Sequence, residues 1–242
     1  MSRVYTDTIE PRKSTQDITL GTAGETISVG ANSINVNTVK DKGGNTLWTS
    51  NGSGVLSSVS TGLKGAQTLI STSSITNGNS IEITSGLDST YDLYIFRVNV
   101  SLTLAGGNFN FQCSTDGGSN YNTTITSSAF RTKHLYSGST ALNLESGYSQ
   151  AQGTSYQTIA GYVRSIGDMA GTSVTGEVWL FNPASTTFVK QFHTNHTLFS
   201  HDEATVNYFM AGYYNTTSAI NAISFKPSNG QFYGNIKMYG IS

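Results

Sequence analysis

Residues 94–104 read YIFRVNVSLTL, in which apolar side chains recur at every second position from Tyr94 to Leu104. From Arg97 onward, the positions between them carry charged, amide or hydroxyl side chains. A period of two is typical of a β-strand with one buried and one solvated face. We therefore predict one long strand here, whose core-facing residues are Tyr94, Phe96, Val98, Val100, Leu102 and Leu104.

The same period returns in the segments on either side of later turns. Further strands are therefore predicted at Phe109–Cys113, Val174–Phe181, Ile223–Phe225 and Phe232–Met238. Asp116–Gly118 and Pro227–Gly230 have the composition of tight turns, and we expect each to close a hairpin because Gly and Asn tolerate positive φ. No stretch of ten residues has the apolar spacing of a helix.

These segments predict an all-β head over residues 63–242. We count about eight to ten strands in it, with no helices between them. Such a pattern is typical of a single antiparallel β-sandwich, and a jelly-roll-like version is preferred. A chain of this size can bury a genuine core.

Residues 16–62 are much poorer in apolar side chains. They come as small pairs: Ile18 with Leu20, Ile27 with Val29, Ile34 with Val36, Leu47 with Trp48, and Val55 with Leu56. Strands this short do not close a core within one chain. We expect an N-terminal intertwined β-stalk, in which copies of the chain wind around a common axis. A flexible Ser/Gly linker is the alternative.

Composition excludes several classes of protein. The 242 residues carry a net charge of −1, only 11% of them are charged, and there is one Cys. A near-neutral chain lacks the basic face that binds nucleic acid. One Cys excludes a disulfide framework and a Cys-based zinc site. No apolar run is long enough to span a membrane, and the first residues lack the apolar core of a signal peptide.

The three histidines His193, His196 and His201 are the candidate metal ligands. Imidazole is the commonest metal ligand in proteins. A strand would place His193 and His196 on opposite faces, so a polar loop is the favoured interpretation. A metal or salt site at a trimer axis and a local pH-sensitive contact remain alternatives. We expect no cofactor.

The sequence offers little for catalysis. It has no Gly-x-Ser-x-Gly elbow, and Cys113 lies on the apolar side of its strand, as a buried inert thiol would. The carboxylates of the head lie mostly at strand ends, and nothing singles out the pair that a glycosidase needs. We expect a protein that is not an enzyme, with a polysaccharide depolymerase as the alternative.

Aromatic residues late in the chain are the candidate contacts for a receptor or glycan: Trp179, Tyr208, Tyr213, Tyr214 and Tyr233. Tyr and Trp stack on sugar rings, and they are also enriched in protein interfaces. Packing between subunits of an oligomer is the favoured interpretation, and glycan contact is the alternative.

Several stretches resemble tail-fibre-like virion structural proteins of marine bacteriophages, of the pelagiphage and cyanophage type. In the N-terminal part they are Asp7–Pro11, Thr19–Ile27 and Val39–Gly54. In the head they are Leu87–Asp92, Phe111–Tyr121, Leu180–Thr187 and Ala211–Ile220. The resemblance spans nearly the whole chain, but it carries no residue-level site.

The resemblance implies a component of the virion exterior, made in the bacterial host cytoplasm and assembled as a homotrimer. We expect attachment to a glycan or protein of the host surface, with capsid decoration or tail assembly as the alternative. Residues 1–15 would then anchor the chain to other virion proteins, through Ile9, Glu10, Pro11 and Arg12. Neither nucleic acid nor a membrane is an expected partner.

Overall fold

The computed structural model describes residues 36–53, 56–57, 59–60, 66–167 and 172–241. The chain divides into two compact units, residues 1–63 and residues 64–242. The described residues contain only strands, turns and irregular segments. None of them belongs to a helix that could cross a membrane.

The first unit contains a small antiparallel sheet. Its strands are β1 (Thr38–Lys40), β2 (Thr46–Ser50) and β3 (Leu56–Ser57), and β2 lies in the middle. The turn from β1 to β2 is fixed by the carboxylate of Asp41, which accepts a hydrogen bond of 2.8 Å from the backbone N–H of Asn45.

No described side chain in this first unit is buried. Leu47 and Trp48 are half-buried, whereas Val36 and Leu56 are 41% and 53% exposed. The described part of the unit is therefore a sheet without a core of its own. The predicted anchor residues 9–12 lie outside the described residues. The same is true of Ile18, Leu20, Ile27, Val29, Ile34 and Val55.

The second unit has twelve described strands, more than the eight to ten predicted. They are β4 (Gln67–Gly78), β5 (Ile81–Ile83), β6 (Leu93–Leu102), β7 (Gly107–Ser114), β8 (Ile125–Leu135), β9 (Thr140–Leu144), β10 (Gln157–Val163), β11 (Val174–Phe181), β12 (Lys190–Phe199), β13 (Ala204–Tyr214), β14 (Ala222–Pro227) and β15 (Phe232–Ile241). The count was too low because strands such as β4 are rich in Ser and Thr. Their apolar period is weak, and pairing with neighbours defines them.

The twelve strands form two antiparallel sheets. One has four strands in the order β10-β7-β14-β5, and the other has eight in the order β4-β15-β6-β11-β12-β13-β8-β9. Ring pairs join the facing sides: Phe96 with Phe225 at 5.8 Å, and Phe111 with Phe192 at 5.3 Å between centroids. The prediction of an all-β, antiparallel fold is confirmed.

The strand predicted from residues 94–104 is confirmed as β6. Five of its six core-facing residues are at most 3% exposed: Tyr94, Phe96, Val98, Val100 and Leu102. The prediction was wrong for Leu104, which is 49% exposed. β6 ends at Leu102, and the chain then turns through Gly106, whose φ is +69°.

The two predicted hairpins were wrong. β14 lies in the four-stranded sheet and β15 in the eight-stranded sheet, so the turn at Pro227–Gly230 crosses between sheets. Gly230 does have the expected positive φ, +68°. The turn at Asp116–Gly118 likewise leads from β7 towards β8 in the other sheet. Hydrogen bonds from Ser114 and Asn120 hold that turn and lower the pKa of Asp116 to about 2.

Candidate functional site

The outer face of the eight-stranded sheet carries a group of aromatic and charged side chains. Alternation along β6, β11, β12 and β15 directs them away from the core. We call them the central cluster: Arg97, Glu177, Trp179, His193 and Tyr239. Beneath them lies Ile95, flanked by Trp179 and Tyr239 on the neighbouring strands. Ile95 is only 3% exposed despite pointing outward, because these larger side chains cover it.

Hydrogen bonds hold the central cluster in one arrangement. The Arg97 Nε lies 2.9 Å from Glu177 Oε1, and Trp179 Nε1 donates to Glu177 Oε2 at 2.8 Å. The Arg97 guanidinium lies 4.8 Å from the centroid of the Tyr239 ring. Its hydrogen bond to Glu177 raises the pKa of Arg97, so the cation is permanent.

His193 completes the cluster by stacking on Trp179. The ring centroids are 5.0 Å apart, with an interplanar angle of 22°. Desolvation lowers the pKa of His193, which keeps the imidazole neutral at pH 7. The cluster is therefore a pre-arranged amphipathic surface, suited to contact with another molecule. It presents no nucleophile beside a base.

A second feature of this face is apolar and lies at one edge of the sheet. We call it the edge patch: Phe130, Leu142, Leu144 and Phe209. The rings of Phe130 and Phe209 stack with centroids 5.0 Å apart, and Leu142 and Leu144 are 71% and 83% exposed. β9 pairs with β8 on one side and with no described strand on the other. Exposed apolar side chains grouped at an open sheet edge mark an interaction surface.

The predicted aromatic contacts are divided between the two faces of the sheet. Trp179 lies in the central cluster, and Tyr213 and Tyr233 are half-buried on the same outer face. Tyr208 and Tyr214 are 0% exposed, so their prediction as contact residues was wrong. Tyr208 donates a hydrogen bond to the carbonyl of Gly161 at 3.2 Å. The alternation Ala204, Val206, Tyr208, Met210 along β13 was the signal that could have placed them inside.

The three candidate histidines are not brought together. His193 points outward from β12, His196 points into the core, and His201 lies in the turn after the strand. No group of three metal-ligating side chains occurs among the residues with a described position. A metal site built on these three histidines is therefore wrong for this fold. The favoured interpretation as a polar loop was also wrong for His193 and His196, which lie within β12.

Cys113 and His196 are titratable groups buried in the core. Desolvation raises the pKa of Cys113 to about 12 and lowers the pKa of His196 to about 3. Neither ring nitrogen of His196 has a hydrogen-bond partner in the described part of the chain. Both groups are uncharged at neutral pH, and neither is accessible to a substrate.

Several residues of the candidate surface were missed from the sequence. The partners Arg97 and Glu177 are 80 positions apart, and only the pairing of β6 with β11 brings them together. Leu142 and Leu144 do show a period of two, which could have identified β9.

No protein-family model, curated protein or solved structure matches this chain. Function is therefore inferred from the residues and contacts described above.

Proposed function

We propose that this chain is a structural protein of a phage virion, a homotrimeric fibre or spike displayed on the particle. It has no enzymatic activity, and its role is attachment to the host surface. The observation that carries the proposal is the edge patch, whose exposed leucines and stacked rings are costly to leave in water. Contact between copies of the chain covers such a surface.

The stalk follows from the same reasoning. The described residues of the first unit bury no side chain, although they include Leu47, Trp48 and Leu56. Winding three copies together over residues 16–62 would remove these side chains from water. Residues 1–15 would anchor the stalk to a neighbouring virion protein. The two sheets of the second unit would form a jelly-roll-like head.

Three heads on one stalk give attachment its strength. A single weak contact becomes tight when three linked copies engage the same surface together. Capsid decoration or tail assembly is the alternative, because the edge patch would serve contact with a neighbouring virion protein equally well.

The trimer is tested by light scattering after size-exclusion chromatography. We expect wild-type protein to have three times the chain mass of 25.8 kDa. The double variant Leu142→Asp/Leu144→Asp places two charges in the edge patch. We expect it to dissociate into single chains at a higher protein concentration than wild type, because only the stalk contacts then hold the copies together. Phe188→Asp is the control, because Phe188 is 70% exposed outside the patch. A monomeric wild type, or a double variant that dissociates at the same concentration as wild type, would contradict the proposal.

The place of the protein on the particle separates attachment from decoration. We expect antibodies against the second unit to label the tail region of intact particles in electron microscopy. Label spread over the capsid lattice would support decoration instead. Particles that carry no label at all would contradict both attachment and decoration.

A further inference from the structure

The outer face of the four-stranded sheet differs in character from the surface described so far. It contains an open groove of about 570 Å³. The groove is lined by amide, hydroxyl and amino side chains: Asn108, Asn110, Tyr156, Thr158, Lys226 and Asn229. β7, β10 and β14 supply its floor, and the turn after β14 forms one end. The edge patch lies on the other sheet, so self-association there would leave this groove open.

The floor of the groove is held by hydrogen bonds across three strands. Thr158 and Lys226 are the register partners of Asn110 on its two sides. Thr158 Oγ1 donates to Asn110 Oδ1 at 2.9 Å, and Asn110 Nδ2 donates to the carbonyl of Lys226 at 3.3 Å. Tyr156 is fixed by its hydroxyl, which donates to Ser224 Oγ at 3.1 Å. A ligand would therefore meet side chains that are already ordered, which lowers the entropic cost of binding.

Lys226 supplies a positive charge to this floor. Its Nζ lies 3.9 Å from the centroid of the Tyr156 ring and forms no ion pair with a described carboxylate. Glu82 on β5 lies on the same face, as the register partner of Ser224. It forms no ion pair with Lys226. The lysine is thus available to an anionic group of a ligand.

The amide groups at the end of the groove add donors. Asn108 Oδ1 accepts from the backbone N–H of Tyr162 at 3.3 Å, and its Nδ2 has no acceptor among the described residues. Asn229 Oδ1 accepts from Ser228 Oγ at 3.3 Å, and its Nδ2 has no acceptor in the described part of the chain. The groove therefore offers two amide donors and one cation. It would match a ligand rich in oxygen acceptors that carries negative charge.

From these contacts we infer that the groove binds an acidic polysaccharide. Ring hydroxyl and carboxylate oxygens accept from the asparagine amides and Lys226, and the exposed part of Tyr156 contacts a sugar ring. An open, polar groove with ordered side chains suits an extended chain of sugars better than an apolar ligand. The inference rests on the proposed role in host attachment, and it names the class of receptor.

The test uses alginate, a polyuronate, as the probe and dextran, an uncharged glucan, as its comparison. Wild-type protein is passed over each immobilised polysaccharide, and binding is measured by biolayer interferometry. We expect binding to alginate and not to dextran. Lys226→Gln removes the positive charge from the groove and Asn229→Ala removes one amide donor, and we expect each to weaken binding by roughly tenfold.

The matched control is Lys237→Gln, which removes the same charge from the outer face of the opposite sheet and is expected to leave binding unchanged. Circular dichroism confirms that each variant is folded. Equal binding by Lys226→Gln and wild type, or no binding of wild type to alginate, would overturn the inference. The mass of the same sample is measured in parallel. A trimeric wild type that does not bind alginate contradicts the groove proposal alone. A monomeric wild type contradicts the proposed trimer.

Discussion

Acidification from pH 6.5 to about pH 4 is expected to lower the free energy of unfolding of the second unit by about 1.4 kcal/mol for each pH unit. The cause is His196, which is 0% exposed and lies between Gly176 and Tyr208 on the neighbouring strands. Desolvation is what lowers its pKa, from 6.5 to about 3. No carboxylate in the described part of the chain offsets the cost of charging the ring.

The direction follows from the protons bound by each state. Between pH 6.5 and about pH 3, an unfolded chain protonates His196 and the folded chain does not. The unfolded state therefore gains protons as the pH falls, and stability is lost across this window. Carboxylates affect stability at lower pH than His196 does. Hydrogen bonds lower the pKa of Asp88 and Asp116 below 3.8, so their stabilisation is present above that value and is lost as the pH falls through the lowered pKa.

The measurement is urea unfolding at pH 7, 6, 5 and 4, at one fixed protein concentration because association shifts apparent stability. His196→Leu is expected to remove most of the slope in this window. It should also stabilise the protein at pH 7 by about 1 kcal/mol, because the two ring nitrogens no longer go unpartnered in the core. His193→Leu on the outer face is the control and should retain most of the slope, because His193 is exposed and His196 is not. A flat wild-type profile, or an equal slope in His196→Leu, would show that another group is responsible.

Gly176→Ala is expected to destabilise the protein by roughly 3 kcal/mol. Gly176 faces the core from β11, directly opposite His196 on β12. An added Cβ would overlap the carbonyl oxygen of Asn195 and lie 2.7 Å from the Cα of His196. Both are backbone atoms, so β12 must move and its hydrogen bonds to β11 must stretch.

Thermal unfolding followed by circular dichroism measures this effect. We expect the melting temperature of Gly176→Ala to fall by roughly 10 °C. Gly147→Ala is the matched control, because a Cβ at Gly147 meets nothing within 4 Å. We expect that variant to differ from wild type by less than about 0.5 kcal/mol. Equal melting temperatures for the two variants would mean that the β11–β12 contact yields at little cost.

Periodicity along the chain predicted which residues share a face of a strand. It placed Tyr94 and Phe96 inside, as the structure has them. It did not predict which sheet a strand joins, because that depends on pairing between distant segments. The turn at Pro227–Gly230 shows the difference: its residues predict a tight bend correctly, yet the strands it connects belong to different sheets.

The candidate surfaces were less accessible to prediction than the strands. Tyr213 and Tyr214 are adjacent and alike in the sequence, but one points outward and the other is buried. The groove was missed entirely, because Asn110 and Lys226 are 116 positions apart and their side chains are ordinary polar residues in isolation. Charge and aromatic content indicate binding only after the register of the strands is known.

The position of β15 has a consequence for biosynthesis. This strand inserts between β4 and β6, so residues 232–241 hydrogen-bond to both neighbours within the larger sheet. A nascent chain therefore has a gap in that sheet until these residues leave the ribosome. The second unit cannot mature segment by segment during translation. It must close late, through contacts between its first and last strands, and until then its unpaired edges are exposed to aggregation.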